Sequence, residues 1–214
     1  MILSRMELDP TKRETRLALA APSRFHGAIE SAFPGERRRR LWRLDVLHGT
    51  PYLLILSEDR PDLTGAVMQF GVSGHEPQWE SRDYSPLLTR IVAESCWYFR
   101  LTANPTRSKS RAGERGKVLA HITPYYQKQW LIEQSKKRGF AICEDGFEVV
   151  SSQWLHFDKR GRNAVTLLSA TFEGVLTVTD EVLFRKTLTE GIGRGKAYGM
   201  GLLTLMRVSE TNNG

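Results

Sequence analysis

The segment of this 214-residue chain most suited to chemistry is Gly191-Ile192-Gly193-Arg194-Gly195-Lys196-Ala197-Tyr198-Gly199-Met200-Gly201. Two Gly-apolar-Gly units flank five residues that include Arg194 and Lys196. Glycine permits positive φ and close backbone approach, and a run of exposed N–H groups can hold phosphate oxygens. A tight helix-to-strand turn that needs glycine for packing explains Gly191, Gly193, Gly195, Gly199 and Gly201 equally well. The segment is not a P-loop, because no Gly-Lys-Ser/Thr follows a buried strand. Nor is it a dinucleotide fingerprint, since it follows a predicted helix and precedes a predicted strand. Three further clusters are basic. Arg107, Lys109, Arg111, Arg115 and Lys117 stand with one anion in a stretch without aromatic or large aliphatic residues, which predicts a segment that orders on phosphates. Lys159, Arg160 and Arg162 surround Gly161 at a predicted hairpin tip, and Arg37–Arg40 precede a predicted strand. Each is also readable as a solvated loop. Few exposed aromatics are expected among these charges, which favours a structured polyanion gripped by backbone and shape over stacked single strands.

The elements that must position these residues follow from periodicity. Met1–Leu8 reads as a strand, Thr11–Ala20 as helical, and Ser23 as the N-cap of a helix to about Phe33, ended by Pro34-Gly35. Leu41–Leu47 and Tyr52–Leu56 read as strands joined by His48-Gly49-Thr50-Pro51, residues 62–70 as a helix and Leu87–Val92 as a strand. In the second half, Trp97–Ala103 is a strand followed by a polar stretch from Asn104 to Lys117. Thr123-Pro124 opens a helix that Gly139 closes, with Tyr126 and Trp130 at i, i+4 on one face. Phe140–Cys143, Phe147–Phe157 and Ala164–Val178 supply strands, and Asp180 caps a helix to about Glu190. Leu202–Arg207 closes the pattern. Two successive β-α-β-β-α-β orders predict an α+β fold of two tandem ferredoxin-like (RRM-like) domains with antiparallel sheets, residues 1–94 and 95–214.

Charge separates the halves. The chain carries 31 Lys and Arg against 24 Asp and Glu, a net +7, with 13 of each sign in residues 1–94 and 18 against 11 beyond. A basic second half implies a polyanionic partner. Cys96 and Cys143 lie in apolar, strand-like surroundings and read as buried free thiols of a reducing compartment. No Cys/His spacing suggests zinc, no carboxylate cluster suggests a divalent metal, and no cofactor is expected. The start lacks a secretory pattern and no apolar stretch reaches the ~18 residues of a membrane span, so a soluble cytoplasmic protein is expected.

The glycine-rich segment resembles the C-terminal loop of CRISPR repeat-processing endoribonucleases. Tyr98-Phe99-Arg100-Leu101-Thr102-Ala103-Asn104-Pro105, Phe172-Glu173-Gly174-Val175-Leu176-Thr177-Val178 and Gly201-Leu202-Leu203-Thr204-Leu205 extend that likeness across the chain in order. Together they resemble the CasE family, the endoribonuclease subunit of type I-E Cascade. The resemblance implies two ferredoxin-like folds and metal-independent cleavage of a CRISPR repeat transcript beside a hairpin. It also implies retention of the mature guide RNA with other Cascade subunits, and an active site at His26.

Local chemistry is compatible with that position. With Ser23 as cap, His26 is the third residue of a helix whose free N–H groups suit a phosphate. Arg24 adds a cation for charge growing on a phosphorane. Imidazole can accept the proton of a 2′-OH or, protonated, donate to a leaving 5′-oxygen. On its residues alone, a lone His on an amphipathic helix is more often merely a surface or half-buried side chain. The family pattern has a Tyr three residues before this His, where the chain has Ser23. Serine cannot inherit a phenol's acidity, so Ser23 and Arg24 stand as supporting groups, with Arg37–Arg40 as electrostatic candidates. The reading is a hairpin-specific endoribonuclease that leaves a 2′,3′-cyclic phosphate and a 5′-OH. Its rival is a non-catalytic subunit that anchors the same hairpin. A general RRM-like RNA binder is weaker, because no segment carries the aromatic RNP1 pattern.

Overall fold

Consecutive apolar residues at Leu53, Leu54, Ile55 and Leu56 bury both faces of one strand, and the molecule is assembled around it. A computed structural model describes residues 1–35, 38–74, 78–111, 114–159 and 162–208, with the backbone alone at 109–111, 114–117, 158–159 and 162–163. The first half runs β1 (Ile2–Glu7), α1 (Arg13–Ala20), α2 (Ser23–Ser31), β2 (Leu41–Leu47), β3 (Thr50–Ser57), α3 (Thr64–Phe70) and β4 (Trp79–Asp83). Its strands pair antiparallel in the order β2-β3-β1-β4, the ferredoxin-like arrangement. Leu53 and Ile55 share a core with Met6, Phe25, Ile29, Val67 and Phe70 beneath the helices. On the other face, Leu41, Leu54 and Leu56 join a second core with Trp97, Leu101, Phe172 and Leu203.

Of residues 87–92, expected as a strand, 87–89 instead lie in α4 (Ser85–Thr89) and 90–92 follow it. The Asp83 carboxylate accepts from the Ser85 amide at 2.9 Å and its hydroxyl at 2.8 Å, and Pro86 sits in the first turn. That local turn chemistry overrides the apolar run.

The second half runs β5 (Cys96–Ala103), β6 (Thr106–Arg111), β7 (Glu114–Ala120), α5 (Pro124–Ser135), β8 (Phe140–Ala141), β9 (Phe147–Lys159), β10 (Arg162–Val178), α6 (Glu181–Glu190) and β11 (Leu203–Arg207). The order is β11-β5-β10-β8, with β9 also on β10, so the same topology recurs. The Asp180 side chain caps α6 as expected, accepting from the Leu183 amide at 2.9 Å. Three expectations are corrected. The polar stretch after Asn104 is an antiparallel ribbon, β6 on β7, inserted between the first strand and first helix. Its register partners (Lys109 opposite Lys117, Arg107 opposite Leu119) alternate as strands do even without an apolar face. Trp130 stacks on Phe172 at 6.2 Å while Tyr126 stays exposed, so the two do not share a buried face. Cys96 and Cys143 are free but exposed, because the strand at 140 ends at Ala141 and Cys96 opens β5.

One charge binds the halves. Leu41, Arg43 and Asp45 occupy alternate positions of β2, and Arg43 is 1% exposed. Its Nε donates to Asp45 Oδ1 at 3.1 Å and Nη2 to Asp45 Oδ2 at 2.5 Å. Nη1 donates to the carbonyls of Arg100 at 2.8 Å and Leu202 at 2.9 Å, and Nη2 to Thr204 Oγ1 at 2.7 Å. Asp45 also pairs with Arg100 at 3.2 Å, and Arg100 with Glu173 at 2.8 Å. Removing one member of such a pair strands the other charge in the interior. Arg43→Ala is therefore expected to cost about 3–5 kcal/mol in urea unfolding. Arg43→Met with Asp45→Leu should recover much of that, and equal losses in both variants would deny the pair its role.

Candidate active site

Helix α2 buries Phe25 and Ile29 and leaves His26 half-exposed. Phe25 lies 4.9 Å from the Phe70 ring and 6.1 Å from that of Trp42, so the helix is seated by aromatic packing. Its start differs from expectation. Pro22 is the N-cap, with helical φ of −56°, and Ser23 is already the first helical residue with no side-chain capping bond. The amides of Arg24 and Phe25 bond instead to the carbonyls of Ala21 and Pro22. His26 thus stands one position later in the helix than the sequence implied. Arg24 is drawn to Glu14 of α1 at 3.5 Å.

The glycine-rich segment wraps the edge strand β2. All five of its expected glycines have positive φ, between +74° and +91°. A Cβ on Gly199 would stand 2.7 Å from the Trp42 ring, and one on Gly191 would stand 2.8 Å from a Leu41 methyl and from the Gly201 carbonyl. Gly191 and Gly199 therefore serve packing between the halves, while Gly193, Gly195 and Gly201 abut Trp130, Met200 and Ile192 of the second half. Within it, the short 3-10 turn Lys196–Tyr198 packs against both α2 and β2. Gly199 on Trp42, and Trp42 on Phe25, thus link the loop to the helix that carries His26. Tyr198 rests on Phe157 of β9 at 5.0 Å.

This packing brings cations together. Burial lowers the pKa of the Lys196 ammonium, and Arg39 and Arg138 depress it further, with Glu190 opposing. Arg39 and Arg138, from two other parts of the chain, are therefore near enough to act on the charge of Lys196, and Glu190 opposes them. Arg39 belongs to the expected Arg37–Arg40 cluster; its neighbours are otherwise engaged. Arg38 pairs with Glu58 at 2.8 Å, and Arg40 pairs with Glu30 at 3.4 Å over the Phe33 ring. Arg37 lies outside the described residues. By sequence Arg138 is only a charge at a helix end. Nothing in the pattern signals that it acts on Lys196, because the proximity is tertiary.

The remaining expected contacts are spread more widely. Arg194 is exposed and forms a bridge with Asn104, and Arg107 is exposed on β6. Lys109, Arg111, Arg115 and Lys117 lie along the β6–β7 ribbon, and Lys159 and Arg162 face each other at the end of β9 and β10. These six have described backbone only, and Arg160 lies outside the described residues. The basic clusters themselves contain no aromatic residue, but rings are exposed elsewhere in the second half. Tyr125 is 60% exposed, Tyr126 55% and Trp154 43%. Among the described residues no three His, Cys, Asp or Glu side chains gather as a metal site requires, and no helix is long and apolar enough to cross a membrane.

A family model described as CRISPR associated protein matches residues 1–207. Over 220 residues the chain is 30% identical to the CRISPR-associated endoribonuclease Cse3 of Thermus thermophilus, covering 96% of this chain and 99% of that one. It is 29% identical over 116 residues to the CRISPR system Cascade subunit CasE of Escherichia coli, covering 50% of this chain and 56% of that one. Its fold superimposes on the CRISPR endoribonuclease Cse3 bound to 19 nt RNA with a TM-score of 0.80 and 28% identity, over 96% of this chain and 100% of that one.

The packing assigns opposite outcomes to two conservative changes. Gly199→Ala forces a side chain into a left-handed conformation against Trp42 and should cost about 1–3 kcal/mol, with altered near-ultraviolet dichroism from the tryptophan. Ser23→Ala removes no capping bond and should stay within about 0.5 kcal/mol of wild type.

Proposed function

The chain belongs to the CRISPR-associated protein family, and on that premise we propose that it is a metal-independent endoribonuclease that matures CRISPR guide RNA. The observation that carries this reading is the packing of the His26 helix against the turn holding Lys196, where Arg39 and Arg138 add their charges. A titratable imidazole beside clustered cations suits one task above others, the breaking of a phosphodiester. The 2′-OH upstream of the scissile bond attacks phosphorus, the bond to the 5′-oxygen breaks, and the products are a 2′,3′-cyclic phosphate and a 5′-OH. One proton leaves the 2′-oxygen and one is gained by the 5′-oxygen. His26 carries one of these transfers, and the neighbouring cations stabilise the negative charge that develops on the non-bridging oxygens. Those cations supply the charge that a divalent metal supplies elsewhere, and they would repel such an ion.

The labour divides at residue 94. Residues 1–94 contribute the imidazole, and residues 95–214 contribute the phosphate grip through the β6–β7 ribbon, the Lys159–Arg162 tip and the Arg194–Lys196 turn. The substrate is the hairpin of the CRISPR repeat, cut at its base, and the product guide stays bound within Cascade in the cytoplasm. That Cse3 was captured with RNA, and that the CasE relative is a Cascade subunit, supports both halves of the proposal.

Single-turnover cleavage of the cognate repeat tests the assignment. His26→Ala should lower the rate by roughly 10²–10⁴ while hairpin affinity stays within a few-fold. Wild type that binds the repeat tightly and never cuts it would make the chain an anchor. Cleavage should persist in excess EDTA, and strict restoration by Mg²⁺ would refute the mechanism. Neutralising two or three cations of the ribbon should flatten the dependence of log affinity on log salt by up to ~0.7–0.9 for each phosphate that is no longer neutralised. An unchanged slope would return the ribbon to a solvated surface.

A further inference from the structure

The β6–β7 ribbon descends into an exposed aromatic corner that the cleavage chemistry does not use. The Tyr125 and Tyr126 rings meet edge to face at 5.3 Å on the first turn of α5, and His121 lies 6.0 Å from Tyr126. The corner is held rigidly. Gln127 is fully buried and donates to the carbonyls of His121 and Ile122 and to Ser152 Oγ on β9. Two and four residues beyond Ser152, on the same face of β9, Trp154 and His156 stack at 6.3 Å with planes 23° apart. The His156 Nδ1 is tied to Thr166 Oγ1 at 3.1 Å. Both tyrosines keep more than half of their surface in water although each is a rigid ring on a rigid helix.

Charge identifies the occupant. From Pro105 to Trp130 six Lys and Arg stand against the single Glu114. The His121 amide donates to the Pro105 carbonyl at 2.9 Å, which joins the corner to the foot of the ribbon, and burial and the Arg107 charge both lower the pKa of His121. Ring faces beside a segment with so few acidic residues fit nucleobases on a phosphate backbone; a protein partner would have to bring its own acidic groups. We propose that this corner, with Tyr126 and Tyr125 on α5 and Trp154 on β9, is a stacking platform for unpaired nucleotides that flank the hairpin. It rests on the reading of the chain as a binder of hairpin RNA, and it adds a single-stranded subsite to that duplex site.

Binding is measured for three RNAs: the bare cognate hairpin, the same hairpin with unpaired nucleotides at its ends, and an unstructured oligouridine. Wild type should bind the extended hairpin more tightly than the bare one. Tyr126→Ala should lose about 5–100-fold on the extended hairpin and on oligouridine and leave the bare hairpin unaffected. Tyr126→Phe keeps the ring and should behave as wild type. The side chain is exposed, so the variant should fold, which its circular dichroism checks. If Tyr126→Ala binds all three RNAs as wild type does, the platform is refuted and the rings face another partner, whatever the fate of the cleavage reading. If wild type ignores the hairpin yet binds oligouridine through Tyr126, the cleavage reading fails and the platform stands. Wild type that binds no RNA overturns both.

Discussion

A guanidinium removed from water must have all five of its N–H donors met, and Arg43 meets that demand only while the two halves are docked. Two donors go to Asp45 on its own strand, and three go to Arg100, Leu202 and Thr204 across the junction. Either half alone would expose or strand that charge. The docking in turn permits the glycine-rich turn to close over β2, because Leu202 and the turn are continuous in the chain. From there the order is transmitted by contact, from Gly199 to Trp42, to Phe25 and to the helix bearing His26. A buried ion pair is poor evidence for added stability, since apolar residues of similar volume often do as well. Its value here is geometric, because only one docking satisfies every donor.

The same docking concentrates positive charge. Arg39, Arg138 and Lys196 come from a loop, a helix end and a turn, and the first two act on the charge of the third only because the fold brings those parts near one another. Like charges held in partial burial raise the energy of the folded chain there, a cost that any bound anion would lower. The first half is neutral overall, yet through Arg39 it contributes to a site whose charge otherwise belongs to the second half.

Much of this was legible in the residues. The Pro124 and Asp180 helix starts, the buried alternation from Ala170 to Val178 and the doubled strand order all rest on local rules that the tertiary structure leaves intact. The failures share a cause. The strand expected at Leu87–Val92 gave way to an Asp-Ser turn and a proline, and Ser23 lost its cap role to Pro22, one residue earlier. Nothing local announces the part played by Arg43, whose three acceptors across the junction lie more than fifty residues away. Tyr126 and Trp130 share helical spacing, but spacing does not say where the neighbouring sheet ends. The candidate site divides likewise: resemblance pointed to His26, whereas the effect of Arg138 on Lys196 is a property of the fold alone.

The β6–β7 ribbon joins the first strand of the second sheet to its first helix and contributes no strand to that sheet. Its pairing is internal, from Thr106 opposite Ala120 to Arg111 opposite Glu114. Changes of length or sequence within it therefore leave the register of the core untouched. This appendage can be lengthened, shortened or recharged while the Arg43 junction stays as it is, so the outer surface and the architecture answer to separate constraints.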